Sequence, residues 1–450
     1  MHIVKKLGSV IALSVIFILI QGCTEDSIDQ AAALDYDLKR QIERYSPNGS
    51  SDFYILPRET ELSKIPQDPK NPLTPEKVKL GQFLFFETGL ALDSKHASGL
   101  STYSCATCHI PEKGFRPDAV QGIADGGMGY ADYREMNPEY TELDLDVQEA
   151  RPLNLINVAY VKNTSWSGQF GGGGTNIGTE DVWDESLATK RNHLGYEGLE
   201  TQNIQGMRTH RMLMTKVLCD QMGYTELFDS AFPEFDESTR YSLITGSLAI
   251  SAYLRSVIST DAPFQDWLRG EDSAMTSEEK NGALLFFGKA NCNRCHYNQN
   301  LGSNEYHALG VNDMDQHPQS VKADNPVAKR NLGRGGFTLR EEDLYKYKVP
   351  GIYNIGDSEH FFHGSSAKTL EELIDYKDAA ERENERVSLE NMSPKFSKLN
   401  LTQKEKAQLI AFIRTGLKDP NIERFQPEFV MSGNCIPNND EESQDYLNCN

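Results

Sequence analysis

Two short runs constrain this chain more than anything else in it: Cys105-Ala-Thr-Cys108-His109 and Cys292-Asn-Arg-Cys295-His296. Both read C-x-x-C-H, the attachment signature of c-type haem, in which two thiols add across the vinyl groups and the adjacent histidine ligates the iron. With 8 Cys and 10 His in 450 residues, chance would supply about 0.003 copies of the pattern. A zinc site wants further Cys or His at short spacing, and neither run has them. A thioredoxin-type redox pair needs a βαβ setting, whereas the flanks here read as helix. Two covalently bound haem c groups are therefore expected, with Cys105, Cys108, Cys292 and Cys295 as attachment points and His109 and His296 as iron ligands.

The flanks repeat as well. Leu73-Thr-Pro-Glu-Lys-Val-Lys-Leu-Gly81 leads into Phe83-Leu-Phe-Phe86 before the first motif, and Met275-Thr-Ser-Glu-Glu-Lys-Asn-Gly282 leads into Leu284-Leu-Phe-Phe287 before the second. Each has a hydroxyl cap ahead of carboxylates and then apolar residues at helical spacing. Further helices are expected over 239–259, 369–378 and 402–417, strand signals are sparse, and Gly- or Asn-rich connections fall at 122–129, 168–178 and 331–336. One unit used twice gives a mostly α chain of two cytochrome c-like haem domains in tandem. The expected boundaries are 61–260 for the first domain and 261–425 for the second.

The ends read differently. Lys5 and Lys6 precede an apolar run over 7–20 that stops at Gln21-Gly22-Cys23. The run is shorter than the ~20 residues a bilayer core needs and has the layout of a secretory signal. Cys23 after a small residue fits a lipoprotein box, so 1–22 is read as a signal peptide and Cys23 as a lipidated N-terminus. Residues 23–60 are polar and acidic and are expected to form a tether. At the other end, Cys435 and Cys449 lie in a polar tail, 426–450, where export to an oxidising compartment predicts a disulfide. Cys219 is read as a buried structural thiol. The balance of 45 Lys+Arg against 66 Asp+Glu gives a net charge of −21. That excludes a nucleic-acid partner, since no surplus of cations exists to neutralise phosphates. The protein is expected to be exported and lipid-anchored, facing the periplasm or the cell surface, with the lipid as its one membrane contact.

From 73 to 417 the chain resembles the bacterial di-haem cytochrome c peroxidases. Arg151-Pro-Leu-Asn-Leu-Ile-Asn157 with Trp166-Ser-Gly168, Leu199-Glu-Thr-Gln202, Ala262-Pro-Phe-Gln-Asp-Trp-Leu-Arg-Gly270, Val349-Pro-Gly-Ile-Tyr-Asn354, Phe362-His363-Gly364 and Thr369-Leu-Glu-Glu372 all look like segments of that family. The resemblance implies that hydrogen peroxide reacts at the first haem. It implies that the second haem receives single electrons from a small cytochrome c or copper protein. Trp166 would lie on the path between them, and His363 would belong to the second haem's surroundings. A calcium ion between the haems and a homodimer also come with the family. Pro152 replaces the Asn expected after Arg151, which weakens the calcium expectation.

The sequence departs from the family where the chemistry is decided. No carboxylate follows Leu199-Glu-Thr-Gln202 at the distance of the family's distal Glu. His210 is the substitute within that stretch, since imidazole does acid–base work near neutral pH, and Glu200 and Gln202 are the neighbouring candidates. The blocking His expected over 122–129 is missing, although Met128 is present. The family's sixth-ligand position on the second haem falls on Lys377, with Tyr376 beside it and Met392 further along. A Met ligand raises the potential, whereas Tyr or Lys lowers it. A di-haem oxidase of a protein or organic substrate, favoured by Tyr376 ligation, and a non-catalytic electron-carrying lipoprotein are the two competing readings.

Overall fold

The computed structural model describes residues 30–117, 119–321 and 328–449. The chain is mostly helical, with many short 3-10 turns. Among the described residues the strands are two antiparallel pairs, Gly127–Met128 with Glu135–Met136 and Tyr306–His307 with Tyr347–Lys348.

The repeat seen in the sequence recurs in space. The Pro75–Phe86 helix starts at Thr74, whose side chain accepts from Lys77 N–H, with Pro75 at the first position, where its missing N–H costs nothing. It packs on the Leu243–Ser256 helix. The Ser277–Phe286 helix starts at a Thr276–Glu279 capping box and packs on Gln403–Ala411, itself opened by a Thr402–Glu405 box. Each crossing is closed by a glycine: a Cβ on Gly81 would collide with Ala249 O, and one on Gly282 with Gln408 O. Behind each crossing stands an edge-on phenylalanine pair, Phe85–Phe86 at 5.2 Å and Phe286–Phe287 at 5.1 Å, both with planes 68° apart.

Helix ends differ by a few residues from expectation. The helix expected over 239–259 begins at Leu243, because Ser242 forms a reciprocal cap with Thr245. The one expected over 402–417 changes to a π turn at Phe412–Gly416.

The larger correction concerns the acidic tether. Residues 30–45 form a helix that buries Leu38 and Ile42 completely. Asp35 reaches Lys280 at 2.6 Å and Trp267 Nε1 at 2.7 Å, and Gln41 Nε2 donates to Phe287 O at 3.0 Å. This segment is docked on the second half of the molecule rather than trailing from the first. The expected signal peptide and Cys23 lie outside the described residues. Among the described residues, no helix is long and apolar enough to cross a membrane.

Candidate haem sites and the seam between them

The two C-x-x-C-H runs adopt the same local form. Cys105–Thr107 and Cys292–Arg294 are single 3-10 turns, and the histidine N–H of each closes onto the first cysteine's carbonyl, at 3.1 Å for His109 and 2.9 Å for His296. Each imidazole is anchored through Nδ1 to a backbone carbonyl: His109 to Phe115 O at 3.1 Å, His296 to Leu301 O at 2.7 Å. Both anchoring residues sit at positive φ, which turns their carbonyls back toward the ring. Phe85 and Phe286 lie beside the two imidazoles, at 6.4 and 6.2 Å. Burial pushes both histidines down to about 4, so each is neutral near pH 7.

These are the properties a proximal iron ligand needs: a fixed ring plane, a defined tautomer and an unprotonated second nitrogen. The thiols fit as well. Cys105, Cys108, Cys292 and Cys295 are unbridged, whereas Cys435 and Cys449 form the expected disulfide, with Cα atoms 5.7 Å apart. Burial pushes Cys105, Cys108 and Cys292 up to about 12. Glycine keeps space beside the first pair, since a Cβ on Gly122 would lie 2.5 Å from Cys108 Sγ. Cys219 is fully buried, as expected.

Around the first motif, His210 and Glu200 part company. His210 follows the end of the Gly198–Thr209 helix, and its Nδ1 is 2.7 Å from Asp146 Oδ2. Burial pulls its basicity down, but the charge and hydrogen bond of Asp146 outweigh that and raise it above the ordinary value. The His210 carbonyl accepts from the hydroxyl of Tyr103, two residues ahead of Cys105, at 2.9 Å, which ties His210 to the approach to the first motif. Glu200 is fully buried, and both its oxygens are held by Arg255, at 2.8 and 2.7 Å. The helix thus commits Glu200 to an internal ion pair, while His210, just past its end, pairs with Asp146. Gln202 is half-buried. Asp146 is the residue sequence reasoning missed: it is 64 positions from its partner, and no local pattern marks it.

A seam joins the two halves. Arg151 donates to Pro117 O at 2.9 Å and Ala119 O at 2.8 Å, just past the first motif, while its own N–H donates to His363 O at 2.9 Å. Trp166 Nε1 donates to Arg151 O at 2.6 Å. The Trp166 ring stands edge-on to Tyr347 at 6.5 Å and to His363 at 6.1 Å. His363 is stacked on Tyr347 at 3.5 Å, and both reach Asp313 Oδ1 at 3.0 Å. His363 therefore faces the seam. Its neighbour Phe362 faces the second motif side, where it packs against Tyr376 at 5.5 Å.

The three sixth-ligand candidates also separate. The Tyr376 hydroxyl donates to Leu309 O at 2.6 Å, and its ring stacks on Phe396 at 5.4 Å. Met392 packs behind Gly310, where a Cβ would meet its sulfur at 3.1 Å. Lys377 lies between Phe362 and Phe396, at 5.5 and 5.7 Å. Burial pushes it down to about 8 against the pull of Cys295 and Cys292. Among the described residues, the one cluster of metal-ligand type is Cys295, Glu305 and His307. Its thiol belongs to the attachment motif, and Lys395 pairs with Glu305 at 2.6 Å. It offers nothing toward the calcium expectation.

Residues 75–273 match the family described as di-haem cytochrome c peroxidase. Methylamine utilization protein MauG of Methylorubrum extorquens is 26% identical over 358 residues, spanning 79% of this chain and 82% of the relative. Cytochrome c551 peroxidase of Pseudomonas aeruginosa is 25% identical over 303 residues, 67% of this chain and 72% of the relative. A crystal structure of a MauG-like protein associated with microbial copper homeostasis shares the fold, with a TM-score of 0.56 at 24% identity over 82% of this chain and 95% of that one. The haem-binding turns, the seam and these matches agree: over residues 75–273 the chain matches the di-haem cytochrome c peroxidase family, and over most of its length it is similar to members of that family.

Proposed function

We propose that the protein is an exported di-haem peroxidase that reduces hydrogen peroxide to water with single electrons from a small redox protein. The observation that carries the reading is the pair of matching haem-binding turns, each with a buried, carbonyl-anchored imidazole, joined through Arg151 and Trp166. The two crossed-helix units closed by Gly81 and Gly282 are read as cytochrome c-like domains. Cys105 and Cys108 would hold one haem, with His109 as ligand. Cys292 and Cys295 would hold the other, with His296 and Lys377 as ligands. Bound haem supplies electron storage and an iron position for peroxide.

The chain's own residues supply the rest. The overall reaction takes two electrons and two protons per peroxide and yields two waters. His210 moves protons through Nε2 while Asp146 fixes Nδ1 and stabilises the protonated ring. Arg151 sets the distance between the halves by tying the first motif's exit loop to His363. Trp166 gives the electron an aromatic stepping point at the seam. Lys377 in place of Met would make the second haem a low-potential centre. Cys23 anchors the protein to a membrane by lipid.

The oxidase reading depends on Tyr376 as ligand; the hydrogen bond of that hydroxyl to Leu309 O supports Lys377 in its place. Turnover of peroxide by the purified di-haem protein with a reduced small cytochrome tests the proposal. Two covalent haems with no peroxide consumption would instead leave the electron carrier as the reading.

A further inference from the structure

The C-terminal tail is built into the first haem site. Its run Pro437–Asp440 makes hydrogen bonds in two directions. Toward the attachment turn, Ser104 Oγ donates to Pro437 O at 2.9 Å, Thr107 Oγ1 to Asn438 Oδ1 at 2.6 Å, and Asn439 N–H to Thr102 O at 3.0 Å. Toward the loop over 122–134, Asn438 Nδ2 donates to Gly129 O at 2.9 Å. Gly129 N–H in turn donates to Asp440 Oδ1 at 2.9 Å, and Arg134 to Asp440 Oδ2 at 3.3 Å.

Arg134 is the loop's internal brace. Its guanidinium, nearly fully buried, donates to Ile123 O at 2.6 Å, Ala124 O at 2.9 Å and Gly129 O at 2.9 Å. The start of the same loop rests on the haem-attachment cysteine, at Gly122 against Cys108. The Arg134 guanidinium thus gathers three loop carbonyls, and Asp440 is the carboxylate that faces it. The tail is closed on itself by Cys435–Cys449, and Cys435 N–H donates to Asn439 Oδ1 at 3.0 Å. It is fastened again at Glu87 and Thr88, which meet Ser432 Oγ at 2.6 Å and Asn434 Nδ2 at 3.0 Å. Asn438 is fully buried, so this is an interior joint and not a surface contact.

We infer that Asp440 is a positioning residue for the first haem site, acting through Arg134 and Gly129, and that the disulfide-closed tail is the strap that carries it. The strap ties the loop wall beside Cys108 to the turn that bears Cys105 and Cys108. It fixes that wall whatever the oxidation state of the second haem. The inference rests on the reading of the first motif as the peroxide-reacting site and deepens it, because it gives the loop without a blocking histidine a structural reason to stay in place.

The test uses the full-length di-haem protein, with Asp440→Ala and the pair Cys435→Ser/Cys449→Ser. The readouts are haem content, amide hydrogen exchange over 122–134 and the spin-state spectrum of the oxidised first haem. Both variants are expected to keep two haems and an unchanged second-haem spectrum. Loop exchange is expected to rise at least tenfold in both, and the first-haem spectrum to become heterogeneous. Asp440→Asn keeps an acceptor for Gly129 N–H but loses the charge facing Arg134, and is expected to fall between wild type and Asp440→Ala. If Asp440→Ala fails to hold haem, Asp440→Asn decides the matter on the same readouts. A lowered melting temperature with wild-type loop exchange and first-haem spectrum would overturn the inference. Absence of peroxide turnover in the wild-type protein would overturn the peroxidase reading alone, since neither readout depends on turnover.

Discussion

His210 and Asp146 meet at 2.7 Å, ring nitrogen to carboxylate, and the His210 carbonyl accepts from Tyr103, two residues ahead of Cys105. The contact holds one imidazole nitrogen and leaves the other to exchange protons. Removal of a positioned acid–base group costs roughly 10²–10⁴-fold in rate. His210→Ala is therefore expected to slow the reaction with peroxide by that factor while haem content stays at two per chain, measured by stopped-flow absorbance and a haemochrome assay. Wild-type rates in this variant would remove His210 from the mechanism.

The same pair sets a pH dependence. Burial lowers the basicity of His210 and Asp146 raises it by more, with a net upward shift. In the wild type, the limb of the peroxide rate profile that reports this group should lie above the ordinary histidine value of about 6.5. Asp146→Asn leaves burial unopposed, so the limb should move to lower pH. For stability the sign follows from the raised folded value. The pair's contribution is fully present below the unfolded value and is lost as pH rises through the folded one. A profile that ignores the Asp146 substitution would contradict the assignment.

Glu200 is expected to matter for stability and not for rate. It is a fully buried carboxylate with both oxygens on Arg255, which also meets Glu197 at 3.1 Å. Breaking a buried pair from one side typically costs about 3–5 kcal/mol, because the remaining charge is left without its partner. Glu200→Gln should lower the melting temperature clearly while the surviving folded protein keeps its peroxide rate. A fall in rate without a fall in stability would return Glu200 to the catalytic set.

Some of this was legible in the sequence and some was not, for physical reasons. The haem-binding turns, the capped helices that precede them and the phenylalanine pairs are local patterns of a few residues, and all appear where expected. So does the Cys435–Cys449 bridge. The docked helix over 30–45 reads as a tether in the sequence because its buried stripe amounts to Leu38 and Ile42. Asp146 and Asp440 act through partners far along the chain. Their roles come from tertiary folding, which no window of sequence displays. The choice among Tyr376, Lys377 and Met392 turns on which side chain already has another partner, and that too is a property of packing.

The crossing glycines allow the two units to be tested separately. Gly81 faces Ala249 O and Gly282 faces Gln408 O with no space for a methyl group. Overpacking of this kind typically costs about 1–3 kcal/mol and more where backbone must move. Gly81→Ala should therefore loosen the first unit and lower its haem occupancy, and Gly282→Ala should do so for the second. Partial-occupancy spectra of the two variants should be complementary. Equal loss of both haems in each variant would mean that the halves do not behave as separate units.

Lys377 provides the last prediction. Its ammonium lies in a cage of Phe362 and Phe396 next to the second attachment motif, and burial has already pushed it down to about 8. An amine held that way is close to the neutral form that a metal ligand requires. Tyr376 is occupied at Leu309 O and Met392 is packed behind Gly310. Lys377→Met is expected to convert the second haem to methionine ligation and raise its potential, since a Met ligand raises the potential of a c-type haem. Tyr376→Phe should leave the potential and the spectrum near wild type, with a modest loss of stability from the missing hydrogen bond of about 1 kcal/mol. Potentiometric titration followed by absorbance separates the two variants. A second haem that shifts with Tyr376→Phe and not with Lys377→Met would show that the phenol leaves Leu309 O to bind iron once haem is in place, and would restore the oxidase reading.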